Sequence, residues 1–265
     1  MLSLRPHVTG GTGPINATEA VKGKTHMQVR QRGDRFVVID EFLDAETLGE
    51  LRKLMVRSTF SEVESVIYPD TDGKACRSKG AVFEGTIDVD RVTGRPKAYE
   101  KIRKSVAAEP AMFGPMGDGW DRIGFTFWQY PPGSRLSWHN DSGGGRKGEF
   151  ILFLHDSWNA SWGGELMILD EDPVQSNEGG GGDFIARMEN RVRQSPTNPT
   201  AIIPLPNRLV LVKAGTVHQI NRVDPTAARQ RCTLTGFVSK KPHQSSSEAR
   251  SALLGLATDA TGSRI

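Results

Sequence analysis

The feature of the sequence that most constrains the fold is a series of short strand-like runs between Asp121 and Val238. Glycine, proline, asparagine and aspartate residues separate these runs, which read IGFTFWQY, GEFILFLH, GELMILD, AIIPLP, RLVLVKAG and RCTLTGFV. Several short β-type segments at close spacing, with turn residues between them, are typical of a β-sandwich or β-barrel. The sequence therefore predicts a mainly β domain.

Two helices are predicted ahead of this β region. Residues 36–43 (FVVIDEFL) have the pattern of a strand, and Asp44 can cap a helix that carries four apolar residues on one side. Pro96 begins a second helix, with apolar residues at helical spacing after it. The segment between them, residues 61–94, is polar and predicts strands and loops.

The composition of the remaining segments divides the chain into three parts. Residues 1–34 show no periodicity and are expected to form a flexible arm, whereas residues 35–240 form one domain. Within it, residues 171–200 contain four consecutive glycines, and we expect a structureless insert that acts as a lid or a disordered loop. Residues 241–265 are expected to form a C-terminal helix and tail, because a capping box precedes several apolar residues there.

Charge and cysteine content exclude several classes of protein. The net charge is only +3 and no long basic run occurs, so nucleic acid is not an expected partner. The two cysteines, Cys76 and Cys232, lack zinc-type spacing and favour a reducing compartment. No signal peptide and no run of about 18 apolar residues is present. We therefore expect a cytoplasmic protein without a membrane partner, and the sequence specifies no oligomeric state.

Three residues form a candidate metal site. His139 and Asp141 are two residues apart, so on an extended strand both side chains face the same way. His218 follows a strongly apolar strand and a turn, and it can supply a third ligand from elsewhere in the fold. Two imidazoles and one carboxylate make the facial triad of non-heme iron(II) oxygenases, which leaves coordination positions open for a co-substrate and dioxygen.

Each of these signals is weak alone. Most His-x-Asp pairs in soluble proteins are surface or turn residues, and a single histidine near a strand end is usually an ordinary polar residue. His155 is the nearest competing ligand, although its position at the end of a strand favours a turn residue.

A candidate carboxylate clamp follows His218 along the chain. A 2-oxo diacid that chelates iron leaves a free carboxylate at its other end, and arginine matches that group better than lysine. In RQRCTLTGFV, Arg231 and Thr235 share one face of a strand and can contact the same carboxylate. Arg229 has the same parity but lies near the entry of the strand, so Arg231 is the preferred clamp.

These motifs together resemble a known family. The segments YPPGSRLSWHND, FILFLHDSWNASWGGEL, KAGTVHQI and RCTLTGFV, in this order, resemble the double-stranded β-helix domain of the prolyl-4-hydroxylase-like 2-oxoglutarate/iron(II) oxygenases. The resemblance covers about residues 121–240. It implies a jelly-roll, cupin-like barrel with flanking helices, and the cofactors iron(II), 2-oxoglutarate and dioxygen.

The resemblance also assigns roles to individual residues. It implies that His139, Asp141 and His218 are the catalytic iron ligands and that Arg231, with Thr235 beside it, binds 2-oxoglutarate. Tyr130 matches a tyrosine that often hydrogen-bonds this co-substrate. The sequence departs from some relatives at Phe153, where they have a second such tyrosine.

The expected activity is that of a dioxygenase that hydroxylates an unactivated C–H bond and converts 2-oxoglutarate to succinate. We expect a small-molecule substrate, such as an amino acid or an intermediate of specialised metabolism, because the chain is short and lacks a recognisable peptide-binding module. A peptidyl-prolyl hydroxylase acting on a protein or peptide is one alternative. A cupin-like module that binds a metal or ligand without turnover is another.

Overall fold

The computed structural model describes residues 27–65, 67–84, 96–172 and 184–241. The strands in these residues are Gln28–Arg32 (β1), Phe36–Asp40 (β2), Phe60–Glu64 (β3), Lys74–Ser78 (β4), Ala81–Glu84 (β5), Arg122–Tyr130 (β6), Leu136–His139 (β7), Arg146–Phe153 (β8), Leu166–Leu169 (β9), Thr200–Ile202 (β10), Leu209–Lys213 (β11), Val217–Ile220 (β12) and Arg231–Ser239 (β13). The helices are Ala45–Arg57 (α1), Pro69–Asp72 (α2), Lys97–Ala107 (α3), Pro110–Phe113 (α4) and Phe184–Gln194 (α5).

Two antiparallel sheets form the domain. The larger sheet has the order β1-β2-β11-β8-β13-β6-β4-β3, with β5 also paired to β6, and the smaller sheet has the order β10-β9-β12-β7. Apolar side chains from both sheets meet in one buried cluster, in which Ile151 and Val210 of the larger sheet pack with Ile168 of the smaller. This arrangement confirms the predicted mainly β, jelly-roll architecture.

The two predicted helices cover the outer face of the larger sheet. Helix α1 begins after Asp44, whose carboxylate accepts a hydrogen bond of 2.8 Å from the backbone N–H of Thr47, as expected of a cap. Alternate residues of each strand point to opposite faces, so Val37 and Ile39 of β2 pack with the helices while Phe36 faces the smaller sheet. The helices thereby leave the inner face of the larger sheet to the site.

A β-strand lies within the last part of the arm predicted over residues 1–34. Residues Gln28–Arg32 form β1, an edge strand antiparallel to β2. All five residues are exposed, so β1 has no buried face that could produce a hydrophobic alternation in the sequence. The remainder of the predicted arm, residues 1–26, and the predicted C-terminal helix lie outside the described residues.

The prediction of a structureless insert over residues 171–200 is wrong for its second half. Residues Phe184–Gln194 form helix α5, which lies against β7, and Thr200 begins β10. Met188 and Val192 are half-buried and one helical turn apart, and Glu189 accepts a hydrogen bond of 3.0 Å from the Tyr68 hydroxyl. The preceding glycine run obscured this short helical pattern, and residues 173–183 lie outside the described residues. Over the described ranges, no helix is long and apolar enough to cross a membrane.

Candidate active site

Two histidines stand side by side in the smaller sheet. His139 ends β7, His218 lies in β12, and the two are direct partners in the antiparallel register. Both are buried, and their ring centroids are 4.2 Å apart. Asp141 lies just beyond β7, and its Oδ2 is 3.5 Å from His139 Nε2 and 3.6 Å from His218 Nε2. One donor atom from each residue lies within 4.8 Å of the other two, a spacing that a single divalent ion could bridge.

Backbone carbonyls fix the proton on each imidazole. The Nδ1 of His139 donates to the carbonyl of Ser137 at 2.7 Å, and the Nδ1 of His218 donates to the carbonyl of Thr216 at 2.9 Å. A carbonyl can only accept, so the proton of each neutral ring is on Nδ1 and the lone pair is on Nε2. Both Nε2 lone pairs are then free for a metal, which is the state that ligating histidines require. The donor set therefore fits a divalent iron.

A buried aspartate that the sequence reading missed holds the strand of His139. Asp72, which is fully buried, accepts hydrogen bonds from Ser137 Oγ at 2.6 Å and from Ser137 N at 3.2 Å. Arg135 adds a third bond at 2.9 Å. Burial works to raise the pKa of Asp72, but these hydrogen bonds outweigh it and lower the pKa. Asp72 thus fixes Ser137, whose carbonyl fixes His139.

A buried arginine, Arg35, holds the backbone next to His218 in a comparable way. Arg35 donates to Thr216 Oγ1 at 2.9 Å and to the Ala214 carbonyl at 2.6 Å. These bonds anchor the turn that precedes β12, and the carbonyl of the same Thr216 accepts from His218. Each of the two histidines is therefore positioned through a hydrogen-bonded chain to a distant charged residue.

The polar surroundings of Asp141 keep it ionised. Arg146 Nη1 lies 3.0 Å from Asp141 Oδ1, and both histidine rings are adjacent. Burial works to raise the pKa of this carboxyl, but His139, His218 and Arg146 together hold it below its ordinary value. Asp141 is therefore a carboxylate at neutral pH, as a metal ligand must be.

A second carboxyl group, Glu149 of β8, lies beside this cluster. Its Oε1 is 3.1 Å from His218 Nε2 and has no hydrogen-bond partner among the described residues. Burial raises the pKa of Glu149 to about 7. The sequence reading missed this residue, although its parity with Ile151 and Phe153 in GEFILFLH places an acid on the inward face of the strand.

A cavity of about 340 Å³ extends from the histidines into the barrel. All six predicted site residues line it: Tyr130, His139, Asp141, His218, Arg231 and Thr235. The remaining wall is largely apolar and includes Trp128 and Ile151 from the larger sheet and Leu166 and Ile220 from the smaller. The structure thus brings the candidate metal ligands and the candidate clamp into one cavity.

Arg231 begins β13 and is almost completely buried. Its Nε donates to the Gly164 carbonyl at 2.8 Å, while its Nη2 has no partner among the described residues. Its guanidinium carbon lies 4.8 Å from the Phe153 ring centroid and 5.7 Å from that of Tyr130. Burial lowers the pKa of Arg231 to about 10, so the group remains a cation at neutral pH. A buried cation with a free N–H at a cavity wall fits an incoming carboxylate.

Two further residues near Arg231 are Arg229 and Thr233. Arg229 pairs with the exposed Asp156 at 3.6 Å and is absent from the cavity lining, so its side chain is used elsewhere. Thr233, between Arg231 and Thr235 on the same face, is fully buried and its hydroxyl has no partner in the described part of the chain. Sequence parity alone could have included Thr233, because alternate residues of a strand share a face.

The competing histidine does not join the cluster. His155 lies just after the end of β8, where it is buried and its Nε2 donates to the Pro204 carbonyl at 2.5 Å. The GGEL motif is structural. Gly164 has a φ of +70°, and a side chain there would approach the Arg231 side chain closely, so glycine is needed where this carbonyl supports the clamp.

Comparisons with known proteins agree with this geometry. Residues 125–239 match the 2OG-Fe(II) oxygenase superfamily. A search among curated proteins found no match. A solved prolyl-4-hydroxylase from Pseudomonas putida is 17% identical, with a TM-score of 0.51 over 78% of this chain and 93% of its own.

Two further solved structures are more distant. An oxidoreductase of the 2OG-Fe(II) oxygenase family from Burkholderia pseudomallei is 13% identical, with a TM-score of 0.45 over 79% of this chain and 88% of its own. A Trichoplax adhaerens prolyl hydroxylase, solved with a peptide fragment of hypoxia inducible factor, is 17% identical, with a TM-score of 0.48 over 78% of this chain and 84% of its own. Residues 125–239 therefore match the 2OG-Fe(II) oxygenase superfamily, the fold is the double-stranded β-helix, and the chain is an iron(II)- and 2-oxoglutarate-dependent dioxygenase.

Proposed function

We propose that the enzyme hydroxylates an unactivated C–H bond of a small molecule, such as an amino acid or an intermediate of specialised metabolism. The observation that carries this proposal is the set of side chains that line one cavity. Three donor atoms of His139, Asp141 and His218 converge in it, and its wall also presents the buried cation of Arg231 with a free N–H.

In this proposal, His139, Asp141 and His218 hold the iron. Iron(II), when bound, supplies the oxidative chemistry that couples decarboxylation of 2-oxoglutarate to succinate with hydroxylation of the substrate. The protein contributes two neutral imidazoles in a fixed tautomer and one ionised carboxylate. Hydrogen-bonded chains to the distant Asp72 and Arg35 keep the two histidines in place before any metal arrives, and Arg146 holds Asp141.

Arg231 binds the distal carboxylate of 2-oxoglutarate in this proposal. Its guanidinium lies over Phe153, so the apolar ring fills the space of the second tyrosine found in some relatives. Thr235 and Tyr130 complete the co-substrate site, with the hydroxyl of Thr233 as a further donor. A charge-assisted, forked pair orients the co-substrate more strictly than a single ammonium would.

The dimensions and lining of the cavity support a small substrate. A volume of about 340 Å³ lies at the lower end of the range of small-molecule pockets, and part of it is needed for 2-oxoglutarate. The cavity is lined by apolar residues with a few polar groups, as small-molecule sites usually are.

A peptidyl-prolyl hydroxylase is the second candidate. The similarity in fold to the Pseudomonas putida prolyl-4-hydroxylase favours it. Exposed residues at the rim of the cavity, such as Glu64 and Arg77 of β3 and β4, could contact a bound chain.

Succinate formation tests both candidates. Purified protein with iron(II), 2-oxoglutarate and oxygen is assayed for succinate alone, with pools of small metabolites, and with proline-containing peptides. We expect succinate to rise several-fold with a small-molecule pool and not with the peptides. The Asp141→Ala variant is the control for metal-dependent turnover. Stimulation by peptides alone would favour the second candidate, and an absence of any succinate would contradict both.

A further inference from the structure

Glu149 is a buried carboxyl group that neither the metal cluster nor the clamp uses. It lies on β8, opposite Phe237 of β13 and Val212 of β11, and its side chain faces the cavity. Further along the same face, Ile151 and Phe153 are apolar and lead towards Arg231. Glu149 therefore lies at the level of the candidate metal ligands, where the substrate must present the bond that is oxidised.

The groups around Glu149 leave it without a donor. The nearest polar atom is His218 Nε2 at 3.1 Å, but the proton of this ring is on Nδ1, which donates to Thr216. The nearest cation, Arg146, donates to Asp141 at 3.0 Å, and its guanidinium lies 3.8 Å above the Phe237 ring. Over the described residues, Glu149 Oε1 has no hydrogen-bond partner at all.

The metal cluster does not include Glu149. The donor atoms that lie within 4.8 Å of one another belong to His139, Asp141 and His218, and Glu149 is outside this group. Its carboxyl group is thus beside the ligands and directed into the space that the substrate occupies. A buried carboxylate without a partner is costly, and the cost is relieved when a positively charged donor is placed against it.

We infer that Glu149 recognises a protonated nitrogen of the substrate, close to the carbon that is hydroxylated. The substrate is then a small molecule with a basic amine, held by an ion pair beside the metal ligands and away from the Arg231 clamp, which lies further along the same sheet. This inference rests on the proposed function, because it places the amine in the same cavity. It also restricts the substrate class, since neutral molecules of the same shape would leave Glu149 unpaired.

Matched pairs of simple probes test this inference. We would measure the binding of short n-alkylammonium ions and of the corresponding n-alcohols at pH 7 by titration calorimetry. The protein is loaded with manganese(II) and 2-oxoglutarate in the absence of oxygen. Because a desolvated charge pair discriminates strongly against its neutral counterpart, we expect the ammonium ions to bind about tenfold more tightly than the alcohols, or better. Equal affinities would overturn the inference.

Three variants test whether Glu149 is the source of the preference for ammonium ions. Glu149→Gln should reduce the ammonium preference to less than about threefold, and Glu149→Asp should restore part of it because it keeps the charge. Glu62→Gln, which changes an exposed carboxylate of β3 that does not line the cavity, should leave the preference intact. Undiminished preference in Glu149→Gln would contradict the inference, as would a loss of manganese affinity as large as that of Asp141→Ala, because Glu149 would then be a metal ligand.

The inference and the proposed function fail in distinguishable ways. Wild-type protein that forms succinate from 2-oxoglutarate but does not prefer the ammonium probes would retain the proposed function and lose the inference. Wild-type protein that forms no succinate with any addition would lose the proposed function itself.

Discussion

The proposed metal end and the proposed co-substrate end of the cavity are supported in different ways. At the metal end, His139 and His218 each donate to a backbone carbonyl, and the strands that carry them are bonded to Asp72 and Arg35. At the other end, Arg231 has one hydrogen bond to Gly164 and is otherwise held by packing against aromatic rings.

This difference fits the ligands proposed for the two ends. At the metal end, the Nδ1 atoms of both histidines are already hydrogen-bonded and only the donors aimed at the ion and the Glu149 carboxyl lack partners among the described residues, so the ligands are organised before binding. The co-substrate end keeps the Nη2 of Arg231 and the hydroxyl of Thr233 without partners, so its hydrogen bonding is completed only when a ligand enters. Buried donors left unpaired in this way increase the discrimination against ligands that cannot pair with them.

The largest effect is expected at the metal end, from Asp141→Ala. Removing the carboxylate deletes one of three proposed ligands, so iron should be lost on desalting and hydroxylation should collapse. Iron content and product formation would be measured together. Asp156→Ala, which removes an exposed carboxylate paired with Arg52 and Arg229, is the control and should change neither. Full activity with normal iron in Asp141→Ala would show that the triad is wrongly assigned.

At the co-substrate end, Arg231→Ala should raise the requirement for 2-oxoglutarate while leaving iron binding nearly intact. Loss of one partner of a buried charge pair costs about 2–5 kcal/mol. Arg231→Lys should rescue only in part, because an ammonium lacks the fork. The measurement is the 2-oxoglutarate dependence of succinate formation, with Arg229→Ala as the matched control. A larger effect from Arg229→Ala would reverse the choice between the two arginines.

A smaller effect is expected from a residue that positions a metal ligand without binding the metal itself. Asp72→Asn removes the charge that holds Ser137 without touching the metal ligands, and loss of such a supporting partner typically costs about 10–100-fold in metal affinity. The iron affinity should fall while the 2-oxoglutarate requirement at saturating iron changes little. Glu62→Gln, on the exposed β3, is the control. Unchanged iron affinity would mean that the metal end does not depend on its hydrogen-bonded support.

The smallest effect concerns which threonine serves the co-substrate. Thr235→Val and Thr233→Val each remove one hydroxyl from the same face of β13, and a hydrogen bond of this kind contributes about 1 kcal/mol. The variant that raises the 2-oxoglutarate requirement by about fivefold identifies the contact. If neither variant changes the 2-oxoglutarate requirement, neither threonine contributes and the polar recognition at this end comes from Arg231.

Sequence reading grouped some of the predicted site residues from local patterns. His139 and Asp141 are two apart, and Arg231 and Thr235 share one face of a strand, whereas His218 and Tyr130 were joined to them through the resemblance to the family. The capped helix after Asp44 was equally local, and the structure confirms it.

The residues that it missed depend on contacts between distant parts of the chain. Asp72 is 65 residues from Ser137, and Arg35 is 181 residues from Thr216, so no local pattern links either pair. Helix α5 was missed for a different reason, since the adjacent glycines dominated the composition of the segment. Glu149 differs from these residues, because an acid at an inward position of an apolar strand is visible in the sequence itself.

Because His139 pairs directly with His218, a metal ion held by both would also stabilise the register of β12 against β7. Side chains alternate along a strand, so a slip of β12 by one residue would turn His218 to the opposite face. An ion bound by both histidines is compatible with one register only, and a hundredfold excess of metal over its dissociation constant stabilises that register by about 2.7 kcal/mol. We therefore expect scarcity of iron to lower the amount of correctly folded protein in the cell as well as its turnover.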